Sequence, residues 1–138
     1  MARYLVVGNQ TLDSDVLAEQ VRERMARGPA EFWLAVPMPV MGGVLRLPEP
    51  PEEARRLAQA KLDAALRKLA GLGATVDGAV SDPDPMRAVE RALGTGEFDE
   101  IIVSTLPRRL SRWLHQDLPD RLQHKFGVPV TDIVAEDV

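Results

Sequence analysis

Short, continuous apolar runs recur along the chain and are separated by longer amphipathic segments. Four of these runs are bounded by turn residues and predict strands at residues 4–7, 32–36, 101–103 and 130–134. Because they are continuous rather than alternating, they are typical of strands covered on both faces. A fifth candidate, residues 74–80, is interrupted by Asp77 and Gly78 and is therefore predicted to be an edge strand.

The amphipathic segments predict four helices with recognisable ends. The helices begin near Ser14, Pro51, Pro85 and Leu118 and end near Gly28, Gly71 or Gly73, Gly94, and Gly127. Asp13 or Ser14 is the capping candidate for the first helix, and Asp84 is the candidate for the third. Gly127 is expected to take the left-handed conformation that ends many helices.

The strict alternation of strand and helix predicts the fold class. It requires a parallel sheet with right-handed crossovers and helices on both faces, which is a three-layer α/β/α sandwich. We expect residues 1–138 to form one domain. The longest stretch without periodicity, residues 37–51, is either an interaction loop or lid, or a plain connector.

Composition narrows the function classes. The chain has 138 residues and no cysteine, and its apolar N-terminal run is too short for a signal peptide, so a cytoplasmic location is expected. No apolar run reaches the ~18 residues of a membrane span. The 17 basic residues against 21 acidic ones give a net charge of -4, which argues against nucleic acid as the main partner.

Candidate catalytic residues are sparse. His115 and His124 are nine residues apart, a spacing that matches no metal motif, and we interpret them as exposed helix residues. No serine lies in a nucleophile elbow, and carboxylate pairs such as Asp99 and Glu100 lie at strand or helix entries. The sequence therefore predicts neither an enzyme nor a metal site.

Several local sequences together resemble those of one family. They are residues 3–7 with the turn 9–11, Ser81-Asp82-Pro83, residues 98–104, residues 110–114, and Gly127-Val128-Pro129-Val130. In order along the chain, they are similar to five parts of the universal stress protein family. These parts are the first strand and its turn, the Gly-Asp-Pro before the third helix, an aspartate followed by an apolar strand and a small residue, the linker after that strand, and the Cys-Pro-Val that opens the last strand.

The resemblance implies a Rossmann-like fold of the universal stress protein and adenine nucleotide alpha hydrolase type. The implied sheet has five strands in the order 3-2-1-4-5, and the implied assembly is a homodimer. In such a sheet a cleft is expected where the strand order reverses. The residues expected to line it are Asn9, Thr11, Val36, Asp82, Ser104 and Asp117. Alternatively, Asn9 and Thr11 form only a turn, and Asp82 only caps the third helix.

The sequence departs from the family at the phosphate site. ATP-binding members carry a glycine-rich signature after the fourth strand, whereas this chain has no glycine between Gly96 and Gly127. Ser104 and Pro107 stand where the first two glycines are expected. We predict that Asp117 caps the last helix and that its carboxylate takes the N–H groups that a phosphate would need.

Two functional hypotheses follow. The leading one is a regulatory or protein-interaction domain without a cofactor or catalytic activity, acting as a homodimer. The alternative is a stress protein that binds a small ligand or a nucleotide such as ATP or AMP. In the alternative, arginines replace the glycine loop, and weak nucleotide hydrolysis is allowed. The residues predicted to contact an anion or a partner protein are Arg108, Arg109, Arg112 and Trp113.

Overall fold

The computed structural model describes residues 2–8, 11–12, 14–37, 51–81, 84–105 and 117–134. The strands are β1 (Ala2–Val7), β2 (Ala30–Pro37), β3 (Thr75–Ser81), β4 (Glu100–Thr105) and β5 (Val130–Val134). The helices are α1 (Asp15–Ala26), α2 (Pro51–Ala70), α3 (Pro85–Leu93) and α4 (Leu118–Phe126). The predicted alternation of strand and helix is confirmed.

The five strands form one parallel sheet in the order β3-β2-β1-β4-β5. The implied order is therefore confirmed, and β3 is an edge strand as predicted. β1 lies at the centre of the sheet, and its last four residues are fully or almost fully buried. This position explains why its sequence is apolar without alternation.

Two hydrophobic clusters lie on opposite faces of the sheet. Tyr4 and Val6 of β1 pack in the cluster that α1 and α2 cover, whereas Leu5 and Val7 pack in the cluster that α3 and α4 cover. Successive strand residues point to opposite faces. The arrangement is the predicted α/β/α sandwich.

Helix starts and ends follow the sequence signals closely. The Ser14 hydroxyl accepts a hydrogen bond from the Leu17 N–H at 3.1 Å, and the Asp84 carboxylate accepts one from the Met86 N–H at 2.9 Å. Gly127 ends α4 with a φ of 68°, which is a left-handed conformation that glycine adopts without strain. These three capping predictions are confirmed.

The long predicted loop lies largely outside the described residues. Its ends belong to neighbouring elements, since Pro37 closes β2 and Pro51 opens α2. β4 is longer than the predicted residues 101–103, because Glu100, Ser104 and Thr105 also pair with their neighbours. No helix in the part of the chain that the structure describes is long and apolar enough to cross a bilayer.

A buried ion pair joins α1 to the start of β4. The Arg24 guanidinium, only 4% exposed, donates to the two carboxylate oxygens of Glu100 at 2.9 and 2.7 Å. Thr131 of β5 also hydrogen-bonds to that carboxylate. Burial works to raise the pKa of Glu100, but the hydrogen bonds from Arg24 and Thr131 and the charges of Arg24 and Arg27 outweigh it, so the pKa lies below its usual value.

Candidate functional site

The candidate cleft lies at the carboxyl ends of β1 and β4. These strands are neighbours in the sheet, but β2 and β3 are added on one side of β1, whereas β4 and β5 are added on its other side. In open α/β sheets, ligands bind in the crevice that forms at such a reversal. Thr11 follows β1, and Ser104 lies near the end of β4, so the topology brings these two predicted site residues to one place.

Thr11 and Ser104 hydrogen-bond to each other across this reversal. Their hydroxyl oxygens are 2.6 Å apart, and the Ser104 hydroxyl also lies 3.5 Å from the Thr11 carbonyl oxygen. Both residues are buried, with exposed fractions of 4% and 2%. A consistent arrangement has Thr11 donating to the Ser104 oxygen and Ser104 donating to the Thr11 carbonyl. The two side chains thus satisfy each other.

Gly8 allows the end of β1 to approach β4 closely. A Cβ atom at this position would lie 3.1 Å from a methyl carbon of Leu12, 3.3 Å from the Cβ of Ser104 and 3.4 Å from its carbonyl oxygen. The Gly8 N–H donates to the Ala35 carbonyl of β2 at 3.3 Å. A side chain at position 8 would therefore press on Leu12 and Ser104, and glycine avoids this contact.

Thr105 is a second buried hydroxyl at the end of β4. Its oxygen lies 3.3 Å from a carboxylate oxygen of Asp132 and 3.3 Å from the Ile133 carbonyl, both in β5. Ser104 therefore bonds toward β1, and Thr105 bonds toward β5. Sequence reasoning missed the role of Thr105, although a second hydroxyl residue after three apolar ones was a usable signal.

The other predicted residues are placed as follows. The Val36 side chain is fully buried in the cluster that α1 and α2 cover, so it belongs to the core and offers no surface to a ligand. Asn9, Asp82, Arg108, Arg109, Arg112 and Trp113 lie outside the described residues.

The prediction for the Asp117 carboxylate is wrong. Asp117 does occupy the N-cap position of α4, but its side chain makes no capping hydrogen bond. Its backbone is left-handed, with φ of 53° and ψ of 40°, whereas an N-cap residue normally has an extended backbone that aims its side chain at the first turn. The residue caps only through its carbonyl, which accepts from the Arg121 N–H at 3.0 Å.

The start of α4 is nevertheless a poor place for a phosphate. An anion at a helix start is bound by the N–H groups of the first turn. Pro119 has no N–H, so in this turn only Leu118 and Asp120 carry one that the helix itself does not use. The Asp120 carboxylate also lies in this turn, and Asp117 is exposed beside it. Two donors therefore stand next to two negative charges.

The described residues offer little reactive chemistry. Every buried side-chain nitrogen or oxygen among them has a hydrogen-bond partner. Within the same ranges, no cluster of three or more histidine, aspartate or glutamate side chains could hold a metal ion. The arrangement at the sheet reversal is a set of mutually bonded hydroxyls, and its chemistry is that of a packed polar contact.

Comparisons with known proteins define the fold but not the activity. No family model matches the chain, and no curated protein matches it either. Among solved structures, the chain is similar to the structure of universal stress protein from Archaeoglobus fulgidus, with a TM-score of 0.60 and 16% identity over 96% of this chain and 93% of that chain. The chain therefore has a universal-stress-protein-like fold.

Proposed function

We propose that this chain is a universal-stress-protein-like regulatory or protein-interaction domain that does not bind ATP through a glycine-rich phosphate loop. The observation that carries the proposal is the buried hydrogen bond between Thr11 and Ser104 at the sheet reversal. In this proposal the domain has no catalytic activity of its own, and it acts in the cytoplasm.

The position of Ser104 is the first support. It stands where the family resemblance expects the first glycine of the signature, and its side chain is turned inward onto Thr11. A ligand that displaced this contact would leave a buried hydroxyl without a partner, at a cost of about 1–3 kcal/mol. That cost weakens an affinity by about fivefold to 150-fold.

The start of α4 is the second support. A triphosphate there would meet two N–H donors and the carboxylates of Asp117 and Asp120. Like charges about 4 Å apart repel by about 1–4 kcal/mol at effective dielectrics between water and a protein surface. The electrostatic balance thus disfavours a phosphate even though Asp117 does not fill the site itself.

Thermal unfolding with ATP, ADP and AMP, each at millimolar concentration with magnesium, tests the proposal. A ligand present at a hundred times its Kd stabilises a protein by about 2.7 kcal/mol. For a chain of this size, that raises the Tm by about 10 °C. We expect no such rise relative to magnesium alone. A magnesium-dependent rise with any of the three nucleotides would contradict the proposal.

One observation favours the alternative of a nucleotide or small-ligand binder. Because the Asp117 carboxylate makes no capping hydrogen bond, it does not occupy the first-turn N–H groups of α4. In the alternative, Arg108, Arg109 and Arg112 bind the phosphate through their guanidinium groups, in place of the backbone N–H groups of a glycine-rich loop. The same titration then shows stabilisation by ATP or AMP in the wild type. Arg108→Ala/Arg112→Ala loses this stabilisation, whereas a variant of an exposed arginine in α1, Arg22→Ala, keeps it.

We further propose that the domain forms a homodimer through the free edge of β5. Among the described residues, β5 pairs only with β4, and Val134 at its end is 39% exposed. Light scattering after size exclusion is expected to give twice the chain mass. Val134→Lys places a charge on the proposed interface and is expected to give the single-chain mass. A wild-type monomer at hundreds of micromolar would refute the dimer.

A further inference from the structure

The two edges of the sheet differ in their polar side chains. On β3, an aspartate is followed by a glycine in the middle of the strand. We propose that the Asp77 carboxylate closes the β3 edge against strand addition, which leaves β5 as the edge at which a second copy can pair. The second half of this statement rests on the proposed homodimer, but the first half does not.

The closing contact is a hydrogen bond between adjacent residues. The Gly78 N–H donates to a carboxylate oxygen of Asp77 at 2.8 Å. Successive N–H groups of a strand point to opposite sides, and those on the outer side of an edge strand are the groups with which an incoming strand would pair. Gly78 lies opposite Leu34 of β2, and its N–H is taken by the Asp77 side chain.

Position 78 lies directly against β2 and has no room for a side chain. A Cβ atom there would be in hard contact with the carbonyl oxygen of Leu34, and it would lie 2.9 Å from the Leu34 Cβ and 3.1 Å from a methyl carbon of Leu62 in α2. The Leu34 carbonyl is thus directed at β3, which is consistent with the Gly78 N–H facing away from β2. Asp77 is exposed, and its carboxylate lies against the Gly78 N–H.

The polar side chains of β5 bond in the opposite direction. Thr131 hydrogen-bonds to Glu100, and the carboxylate of Asp132, an exposed residue, accepts from Thr105, so both side chains contact β4. At the end of the same strand, Val134 is exposed. β5 thus combines polar contacts to β4 with an exposed apolar side chain at its end.

Closing one edge determines the kind of assembly that strand pairing can form. If both edges were open, β5 of one copy could pair with β3 of the next, and this head-to-tail contact would continue into a filament. With β3 closed, β5 can pair only with another β5, and the symmetric contact ends at two copies. A charged residue on an edge strand is a general means of preventing such growth.

Two substitutions separate the hydrogen bond from a general effect of residue 77. Asp77→Val removes the acceptor and the charge and adds a strand-forming side chain, so its mass by light scattering is expected to rise with concentration beyond that of the wild type. Asp77→Asn keeps an amide oxygen that can accept from the Gly78 N–H, and its mass is expected to equal that of the wild type. The comparison is valid whether the wild type is a monomer or a dimer, so failure of the proposed dimer is seen separately.

The proposal would be overturned if the mass of Asp77→Val by light scattering equalled that of the wild type at every concentration. If that variant does not fold, Asp77→Ala is examined instead by amide hydrogen exchange followed by NMR. Loss of the hydrogen bond is expected to accelerate exchange of the Gly78 amide roughly threefold to tenfold. An unchanged rate in Asp77→Ala would also overturn the proposal.

Discussion

Replacing Arg24 with leucine tests whether the buried ion pair holds α1 onto the sheet. Arg24 donates to Glu100 through two nitrogens and to Gln20 through a third, and its guanidinium lies 5.7 Å from the centre of the Tyr4 ring. Leucine keeps the apolar stem but removes all of these polar contacts. The Glu100 carboxylate, only 15% exposed, then keeps, among the described residues, its hydrogen bond from Thr131.

The expected loss of stability follows from the burial of both partners. Breaking a fully buried ion pair costs about 3–5 kcal/mol because one charge stays buried without its partner. Glu100 is slightly exposed and keeps a hydrogen bond, so we expect about 2–3 kcal/mol for Arg24→Leu. At this chain length the loss lowers the Tm by about 6–12 °C.

A second arginine of α1 provides the matched control. Arg22 forms an ion pair with Glu19 at 2.6 Å, but the two side chains are 56% and 68% exposed. An exposed pair of this type contributes about 0.3–0.5 kcal/mol. Urea unfolding of Arg24→Leu, Arg22→Leu and the wild type is the assay. Equal losses in the two variants would refute the reasoning, because burial would then not decide the value of the pair.

The pH dependence of stability is a second test of the ion pair between Arg24 and Glu100. The pKa of Glu100 is lower in the folded chain than in the unfolded chain, so its contribution is present above the unfolded value of about 4.3 and is lost as pH falls through the folded value. Glu100→Gln should therefore be less stable than the wild type at pH 7, and the difference should shrink below about pH 4. A difference that grows on acidification would contradict this assignment.

Two further predictions compare matched positions. Gly78→Ala forces the β3 backbone away from Leu34 and is expected to lower the free energy of unfolding by about 2–3 kcal/mol. Gly127→Ala places a Cβ that meets no atom within 4 Å, so it is expected to cost only about 1 kcal/mol, from the left-handed backbone. Equal Tm values for the two variants would contradict this ranking. Asp84→Ala removes a capping hydrogen bond and is expected to cost about 1 kcal/mol. Asp117→Gly relieves the backbone strain of a left-handed aspartate and is expected to stabilise the fold by about 0.5 kcal/mol. Destabilisation by Asp117→Gly in chemical unfolding would contradict the observed cap geometry.

Local signals predicted most of the fold. Ser14, Asp84 and Gly127 act at the helix ends where the sequence places them, because capping depends on residues within one turn of each other. β5 has the predicted bounds, and Pro129 directly precedes its first residue. The order of strands in the sheet came from the family resemblance, because alternation alone does not say on which side of β1 each strand is added.

The candidate site was predicted only in part. Thr11 and Ser104 were expected in one cleft, and the structure brings them together, but their direct hydrogen bond was not foreseen. The role of the Asp117 carboxylate was predicted from its position before Leu118, and it is wrong because the backbone there is left-handed. Residue type at a helix start indicates a cap, but the φ and ψ angles decide where the side chain points.

The sequence by itself determined which segments form helices and strands, where the capped helices begin and end, that the sheet is parallel, and that glycines are lacking at the phosphate site, since all of these depend on residue types and short spacings. Only the tertiary structure decided which polar groups meet. Ser104 bonds to Thr11 across 93 residues, and Arg24 bonds to Glu100 across 76. Such contacts depend on strand order and on how each helix packs on the sheet, and a periodicity of two or 3.6 residues carries no information about either.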